Sequence, residues 1–351
     1  MTICFFGNYI ADYPRVAVMR NGLKENGVEV LECQTRERGL KKYLALWREH
    51  RKIKNKYDLM LVMMGGQTLV WFAKFLTRKK VVFDAFSSLY LTNIEDRQLA
   101  SKNSLKARIW AYWDWLPCQL ADLVLLDTKA QIDYFIKKYK IEENKFIRIF
   151  ASAVDEIFYP RPETENANKK FIIHWHGYIV PFYGLETIIK AAKILEKENL
   201  EFRITTRFNS EYEKIKKLVA ELGLKNVTFF SETTRQELAK NINQADACLG
   251  VFGNNKKAQI VIPNKIVEAI ACAKPVITGR QKVLEELFVG GESIMMCESE
   301  DPRDLAEKIL KLKNNHELKR KIGQSGYQIY LKKLKPKVLI KENLLSVITN
   351  N

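Results

Sequence analysis

Short apolar runs alternate with helix-period segments along the whole chain. In the first half the runs are "TICFF", "VEVLE", "LMLVM", "KVVFD", "DLVLLD" and "FIRIF". In the second they are "KFIIHWH", "EFRITT", "NVTFF", "DACLGV", "KPVITG" and "SIMMC". Between them lie "RVAVMRNGLKENG", "GLETIIKAAKILEKE" and "DPRDLAEKILKLK", whose apolar positions recur every three or four residues. Runs of this kind are buried strands, and strands alternating with helices make parallel sheets through right-handed crossovers. The pattern predicts an α/β protein built from doubly wound, Rossmann-like domains.

Length sets how many. At 351 residues the chain is larger than a single core usually grows, so two domains are expected. The break falls in "YPRPETENANKK" (159–170), which has two prolines and almost no apolar residues. This gives domains 1–165 and 166–335, with a last helix, 336–351, packing back on the first domain. Ligands of such sheets lie beyond the carboxyl ends of the strands, so a cleft between two facing domains is expected and candidate residues should follow strands.

Composition narrows the class. The 47% hydrophobic content suits a packed globular chain rather than a disordered one. "MTICFFGNYIADYPR" lacks the basic start and apolar run of a signal peptide. "YDLMLVMMGGQTLVWFAKFLTRKK" is long and apolar, but Gly65, Gly66, Gln67 and Thr68 divide it, so it reads as strand, turn and helix rather than a membrane span. The six cysteines include no CxxC pair and lie mostly in apolar runs. They read as reduced core residues of a cytosolic protein.

Two segments carry chemistry. In "HWHGYIVPFYGLETIIKAAKIL" (174–195) a strand ends at Gly177 and a helix starts at Gly184. Glycines admit a close ligand, and a helix amino end attracts phosphate. His174 and His176 share one strand face, but without a third ligand they read as packed or cleft-lining side chains rather than a metal site. "LGVFGNNKKAQIVIPNKIVEAIACAKPVITG" (249–279) is more specific. After a strand, Gly253 opens a loop holding Lys256 and Lys257, and Pro263 suits the first turn of a helix capped by Asn264 or a neighbour. Lys265 and Glu268 lie one turn apart on one face. Such a terminus takes a nucleotide diphosphate on backbone and lysines, and a ribose on Glu268.

These residues resemble the donor-binding signature of family 4 glycosyltransferases, in the form "PNK-x-x-E-A-x-A-x-x-K-P-V-I-T-G". "HG-x-x-x-P-x-x-G-x-E-x-I-I-x-A-A-x-x-L" matches that family's other donor-side loop, and "FDAFSSLY…EDR" (83–97) with "ADLVLLDT" (121–128) resembles a bacterial polysaccharide subgroup. The resemblance implies the GT-B fold, an N-terminal acceptor domain and a C-terminal nucleotide-sugar domain. It also implies transfer with retention from a UDP- or GDP-linked sugar to a glycan or lipid-linked acceptor, in cell-surface polysaccharide synthesis, with no metal and no further cofactor. By this resemblance Gly177, Gly184, Arg207, Lys257, Asn264, Lys265 and Glu268 bind donor, and Glu268 faces the cleft with the ribose hydroxyls as partners. On the acceptor side it points to Gly7 and Asn8 after the first strand, to Asp84 as a catalytic group beside Glu268, and to Arg15 and Arg97 for an acceptor phosphate. The chain departs from the family at three positions. Ile260 replaces an earlier Glu, and Tyr178 and Tyr183 replace an Arg and a Lys; Lys257, Lys265 and Arg207 are the residues available to compensate.

Charge adds a partner. The net charge is +17, and residues 36–80 carry 13 Lys/Arg against Glu37, Glu49 and Asp58. A second basic stretch, 308–341, has ten Lys and one Arg against Glu317, and reads as solvated helix faces. In "RGLKKYLALWREHRKIKNKY" (38–57), Leu40, Tyr43, Leu44 and Trp47 stand at helical spacing, flanked by Lys41, Lys42, Arg48, Arg51 and Lys52. That suits an amphipathic element on an anionic membrane, and so an enzyme peripheral to the inner face of the cell membrane, although core packing explains the apolar stripe as well. The basic charge alone would permit nucleic-acid binding, but no helix-turn-helix, zinc or RNA-recognition pattern accompanies it. A GT-B epimerase or phosphorylase is the other alternative.

Overall fold

The computed structural model describes residues 1–162 and 170–349. The chain divides into two compact units, Met1–Ser152 with Lys335–Asn351, and Ala153–Leu334. The boundary expected at 165 and most of the polar stretch 159–170 lie outside the described residues. The division comes earlier because the residues after Ser152 are tied into the second unit. Tyr330 Oη donates to the Ala153 carbonyl at 3.2 Å, Asn243 Nδ2 donates to the Tyr159 carbonyl, and Asn243 Oδ1 accepts from the Arg161 amide.

The first unit runs β1 (Thr2–Gly7), α1 (Pro14–Glu25), β2 (Glu29–Gln34), α2 (Lys41–Ile53), β3 (Leu59–Val62), α3 (Val70–Leu76), β4 (Lys80–Phe86), α4 (Leu105–Leu120), β5 (Leu123–Leu126), α5 (Lys129–Tyr139) and β6 (Phe146–Arg148). Its sheet has the order β2-β1-β3-β4-β5-β6, every pair parallel. β3 and β5 are buried along their whole length, as strands covered by helices on both faces must be. The long apolar stretch 57–80 is strand, turn and helix, and among the described residues no helix is long and apolar enough to cross a membrane. The chain's last segment, helical from Pro336 to Ile348 with wider turns over Ile340–Leu345, lies on α1. Gly22 makes that approach possible, since a Cβ there would stand 2.5 Å from the Pro336 carbonyl oxygen.

The second unit runs β7 (Phe171–His176), α6 (Leu185–Ile194), β8 (Leu200–Thr206), α7 (Ser210–Glu221), β9 (Val227–Ser231), α8 (Arg235–Gln244), β10 (Ala247–Leu249), α9 (Asn264–Ala271), β11 (Val276–Gly279), β12 (Met295–Cys297), α10 (Pro302–Asn314) and α11 (His316–Ile329). The sheet order is β12-β11-β10-β7-β8-β9, again parallel throughout. From β7 the chain winds first one way, through β8 and β9, and then the other, through β10, β11 and β12. The reversal falls between β7 and β10, the place where ligands of such sheets bind. All six cysteines are buried and free.

Candidate active site

The two loops leaving the switch point are zipped together. The Phe252 amide donates to the Tyr183 carbonyl at 3.0 Å and the Gly253 amide to the Phe182 carbonyl at 3.2 Å. Gly184 sits in the left-handed region (φ 62°), and a Cβ on it would lie 2.5 Å from the Gly253 nitrogen. Only glycine fits both the turn and the contact. α6 then starts from Gly184 with no side chain capping it. At α9 the N-cap is Pro263, in extended geometry, and Asn264 is the first helical residue. The capping role expected of Asn264 is thus not taken, because Pro263 holds the cap position and has no side-chain acceptor. Both helix amino ends at the switch point lack a side-chain cap.

Lys265 projects from the first turn of α9 into the interior rather than into solvent. It is 5% exposed, and its Nζ lies 3.2 Å from the centroid of the Tyr183 ring and 3.8 Å from that of Trp175. Gly177, at φ 136°, leaves room for it; a Cβ there would be 3.0 Å from Nζ. The ammonium has no hydrogen-bond partner, and burial holds its pKa well below the usual lysine range, opposed by the charge of Glu268. Tyr183 is one wall of this aromatic box.

Glu268, one turn further, is buried at 6% exposure and accepts a hydrogen bond from His176 Nε2 at 2.9 Å. A side chain from β7 thus holds one oxygen of the Glu268 carboxylate. His174 stacks on His176 with ring centroids 5.3 Å apart, and burial together with the neighbouring His176 pushes its pKa far down. Sequence reasoning placed both histidines on one strand face but missed this pair. The signal available was that β7 and α9 flank the same reversal. Buried polar atoms without a partner gather here among the described residues: both ring nitrogens of His174, Trp175 Nε1, Thr205 Oγ1, Thr206 Oγ1 and Lys265 Nζ. Such atoms are uncommon in folded proteins, and a cluster of them marks a place built to meet something else.

The other donor-side candidates are arranged around aromatics. The Arg207 guanidinium lies over the Tyr178 ring at 5.2 Å and pairs with Glu232 at 2.9 Å, which also accepts from Tyr178 Oη. Arg207 is thus exposed and paired with a carboxylate beside the loop that follows β7. The cause is that β7, β8 and β9 end side by side and release Tyr178, Arg207 and Glu232 together. Lys257 stands over Phe182 at 4.8 Å, and Ile260 is buried.

In the first unit the expected acceptor group divides. Gly7 ends β1, beside its switch point with β3, and Asn8 is exposed with its Nδ2 donating to the Glu37 carbonyl at 2.8 Å. Arg97 is exposed after the helical turn Leu91–Asp96. Arg15 and Asp84 are both buried and bonded to one another, Nη2 to Oδ1 at 3.0 Å. Arg15 Nη1 donates to the carbonyls of Ile149 and Phe150 at 2.6 and 3.1 Å. This corrects both assignments. Arg15 faces inward and holds β4 to the segment after β6, and Asp84 is its counter-charge rather than a group presented to substrate.

Residues 157–329 match the family described as Glycosyl transferases group 1. The match covers just under half of the chain and lies almost entirely within the second unit, which holds Glu268 and Lys265. The chain is 27% identical over 236 residues to an uncharacterized glycosyltransferase of Methanocaldococcus jannaschii, covering 65% of this chain and 59% of that one. It is 26% identical over 166 residues to the capsular polysaccharide biosynthesis glycosyltransferase CapM of Staphylococcus aureus, covering 45% of this chain and 41% of CapM. The matched segment thus spans less than two thirds of either relative. Among solved structures, sucrose-phosphate synthase of Thermosynechococcus elongatus superposes with a TM-score of 0.79 at 14% identity, over 99% of this chain and 98% of the other. HepE of Anabaena, in complex with UDP and glucose, superposes with a TM-score of 0.73 at 14% identity over the full length of both. The fold is GT-B.

Proposed function

We propose that the chain is a glycosyltransferase. In this reading it moves a sugar from a UDP- or GDP-linked donor to a glycan or lipid-linked acceptor in cell-surface polysaccharide synthesis, with retention at the anomeric carbon and without a metal ion. The observation that carries the reading is Lys265, a buried amine with no hydrogen-bond partner, in the first turn of the uncapped helix α9 and against Gly177. A diphosphate supplies a counter-charge for its protonated form, while the uncapped amino ends of α6 and α9 offer N–H groups and partial positive charge to the same anion. Glu268, held by His176, is oriented to accept from ribose hydroxyls. The resemblance to HepE, solved with UDP and glucose, and to CapM supports these substrate classes.

The chemistry follows from what is left once Asp84 is tied to Arg15. The bond between the anomeric carbon and the β-phosphate oxygen breaks, and the acceptor oxygen bonds that carbon from the same face. The acceptor's proton passes to the departing phosphate oxygen. Lys265 and the helix ends stabilise the charge that develops on that phosphate, so no carboxylate base is required. A thermal-unfolding screen of UDP, GDP and their sugar conjugates tests the assignment. One nucleotide class should raise the melting temperature, and Lys265→Met should lose the shift. No stabilisation by any nucleotide would overturn it.

A further inference from the structure

The first unit carries an apolar face that its own core does not use. α2 buries Leu46 and His50 and packs Tyr43 and Ile53 against the core, while Leu40 (85% exposed), Leu44 and Trp47 turn outward. Of the apolar stripe seen in the sequence, the core thus takes Tyr43 and leaves Leu40, Leu44 and Trp47 exposed. On α3, Trp71 and Phe75 (78%) are exposed one turn apart. On α4 the same is true of Leu105 (72%), Ile109 and Tyr112, with Trp115 beyond. Connections β2→β3, β3→β4 and β4→β5 all step the same way across the sheet, and right-handed crossovers place their helices on one side of it. α3 packs on both α2 and α4, and the Tyr43 and Trp71 rings meet at 5.5 Å across the first of these contacts. Single exposed apolar side chains need no explanation, but a set shared by three adjacent helices does.

Basic side chains border this set. Lys41, Arg48, Arg51 and Lys52 are exposed on α2, and Arg51 lies over the Trp47 ring at 4.8 Å. Arg78 and Lys79 follow α3, and Lys106 and Arg108 stand on α4, all exposed. Glu49 is the one acidic residue within α2, and it pairs with Lys52.

We propose that the α2–α3–α4 face docks on an anionic lipid bilayer. Trp, Tyr, Phe and Leu enter the headgroup boundary, and the flanking Lys and Arg meet lipid phosphates. Charge complementarity chooses this occupant over a neutral one. The exposed aliphatic side chains Leu40, Leu44, Leu105 and Ile109 distinguish it from a nucleic-acid site, whose aromatics serve as stacking platforms for bases. The inference goes beyond sugar transfer and is tested without turnover, so its failure and the failure of the glycosyltransferase reading are separate results.

The test is co-sedimentation of the full chain with vesicles of phosphatidylcholine, with and without phosphatidylglycerol, at low and raised salt. Wild type should pellet with the anionic vesicles at low salt and be released partly by salt. Each charge near an anionic leaflet is worth about fivefold (about 1 kcal/mol). The triple variant Lys41→Gln, Arg48→Gln, Arg51→Gln should therefore bind on the order of a hundredfold more weakly. Trp71→Ser with Phe75→Ser keeps every charge and should lose the salt-resistant part. These side chains are exposed, so nucleotide-induced stabilisation and the circular dichroism spectrum should stay as in wild type. A wild-type protein that stays in solution with anionic vesicles at low salt overturns the proposal. So does binding to duplex DNA as tight as to vesicles, combined with no effect of the Trp71 and Phe75 replacements.

Discussion

Removing the Asp84 carboxylate tests how the first unit is held and what this residue is for. Asp84 is 0% exposed and accepts from Arg15 Nε at 3.2 and 3.3 Å and from Nη2 at 3.0 Å. In Asp84→Ala the guanidinium keeps the Ile149 and Phe150 carbonyls but loses its counter-charge inside the protein. Charge-assisted bonds are worth about 1.5–3 kcal/mol apiece, and two N–H groups lose theirs. Stranding one member of a buried pair costs about 3–5 kcal/mol, which agrees with that sum. For a unit of this size a kcal/mol lowers the melting temperature by roughly 2–4 °C, so a fall of roughly 6–20 °C is expected. Differential scanning calorimetry of the variant against wild type reads it directly. The double variant Arg15→Met, Asp84→Leu removes both charges and should recover part of the loss, because the pair's desolvation cost disappears while the Ile149 and Phe150 carbonyls lose their donor. An Asp84→Ala protein that melts as wild type but no longer transfers sugar would refute the reasoning and return Asp84 to the reacting centre.

Three further outcomes follow from the second unit. Glu268→Gln should remain folded, since a glutamine amide oxygen still accepts from His176, yet weaken nucleotide binding by about 1.5–3 kcal/mol in calorimetric titration; unchanged affinity would remove Glu268 from the donor site. Lys265 has a folded-state pKa below its unfolded one, so the unfolded chain binds the extra proton between the two and the free protein gains stability as pH rises through that window. A bound diphosphate raises that pKa again. Nucleotide binding should therefore take up a proton, visible as a dependence of the titration heat on buffer ionisation enthalpy and absent in Lys265→Met. Sugar transfer should survive EDTA, with the donor's charge met by Lys265 and the helix ends; full loss restored by magnesium or manganese would contradict that.

The sequence alone determined the elements and their class. All twelve predicted strands form; the continuous apolar runs become buried central strands, while the more polar β2 and the exposed β9 take sheet edges. Alternation with helices then leaves parallel sheets as the consequence of crossover handedness. The loops at Gly177, Gly184 and Gly253, and the start of α9, were legible for the same local reason: glycine and proline constrain the backbone wherever they stand. What only the tertiary structure decided is which side chains meet. Glu268 finds His176 from 92 residues away, and Arg15 finds Asp84 across 69. Neither spacing encodes the contact, which depends on strand order and on the depth at which a helix seats. The direction of Lys265 into the Tyr183–Trp175 box is of the same kind, as the helical wheel allows it to face solvent equally well. For α2, the apolar residues Leu40, Tyr43, Leu44, Leu46 and Trp47 spread over an arc of about 160°, wider than the core contact needs. Periodicity could not say which arc the sheet would take, and packing chose Tyr43 and Leu46, leaving Leu40, Leu44 and Trp47 outside.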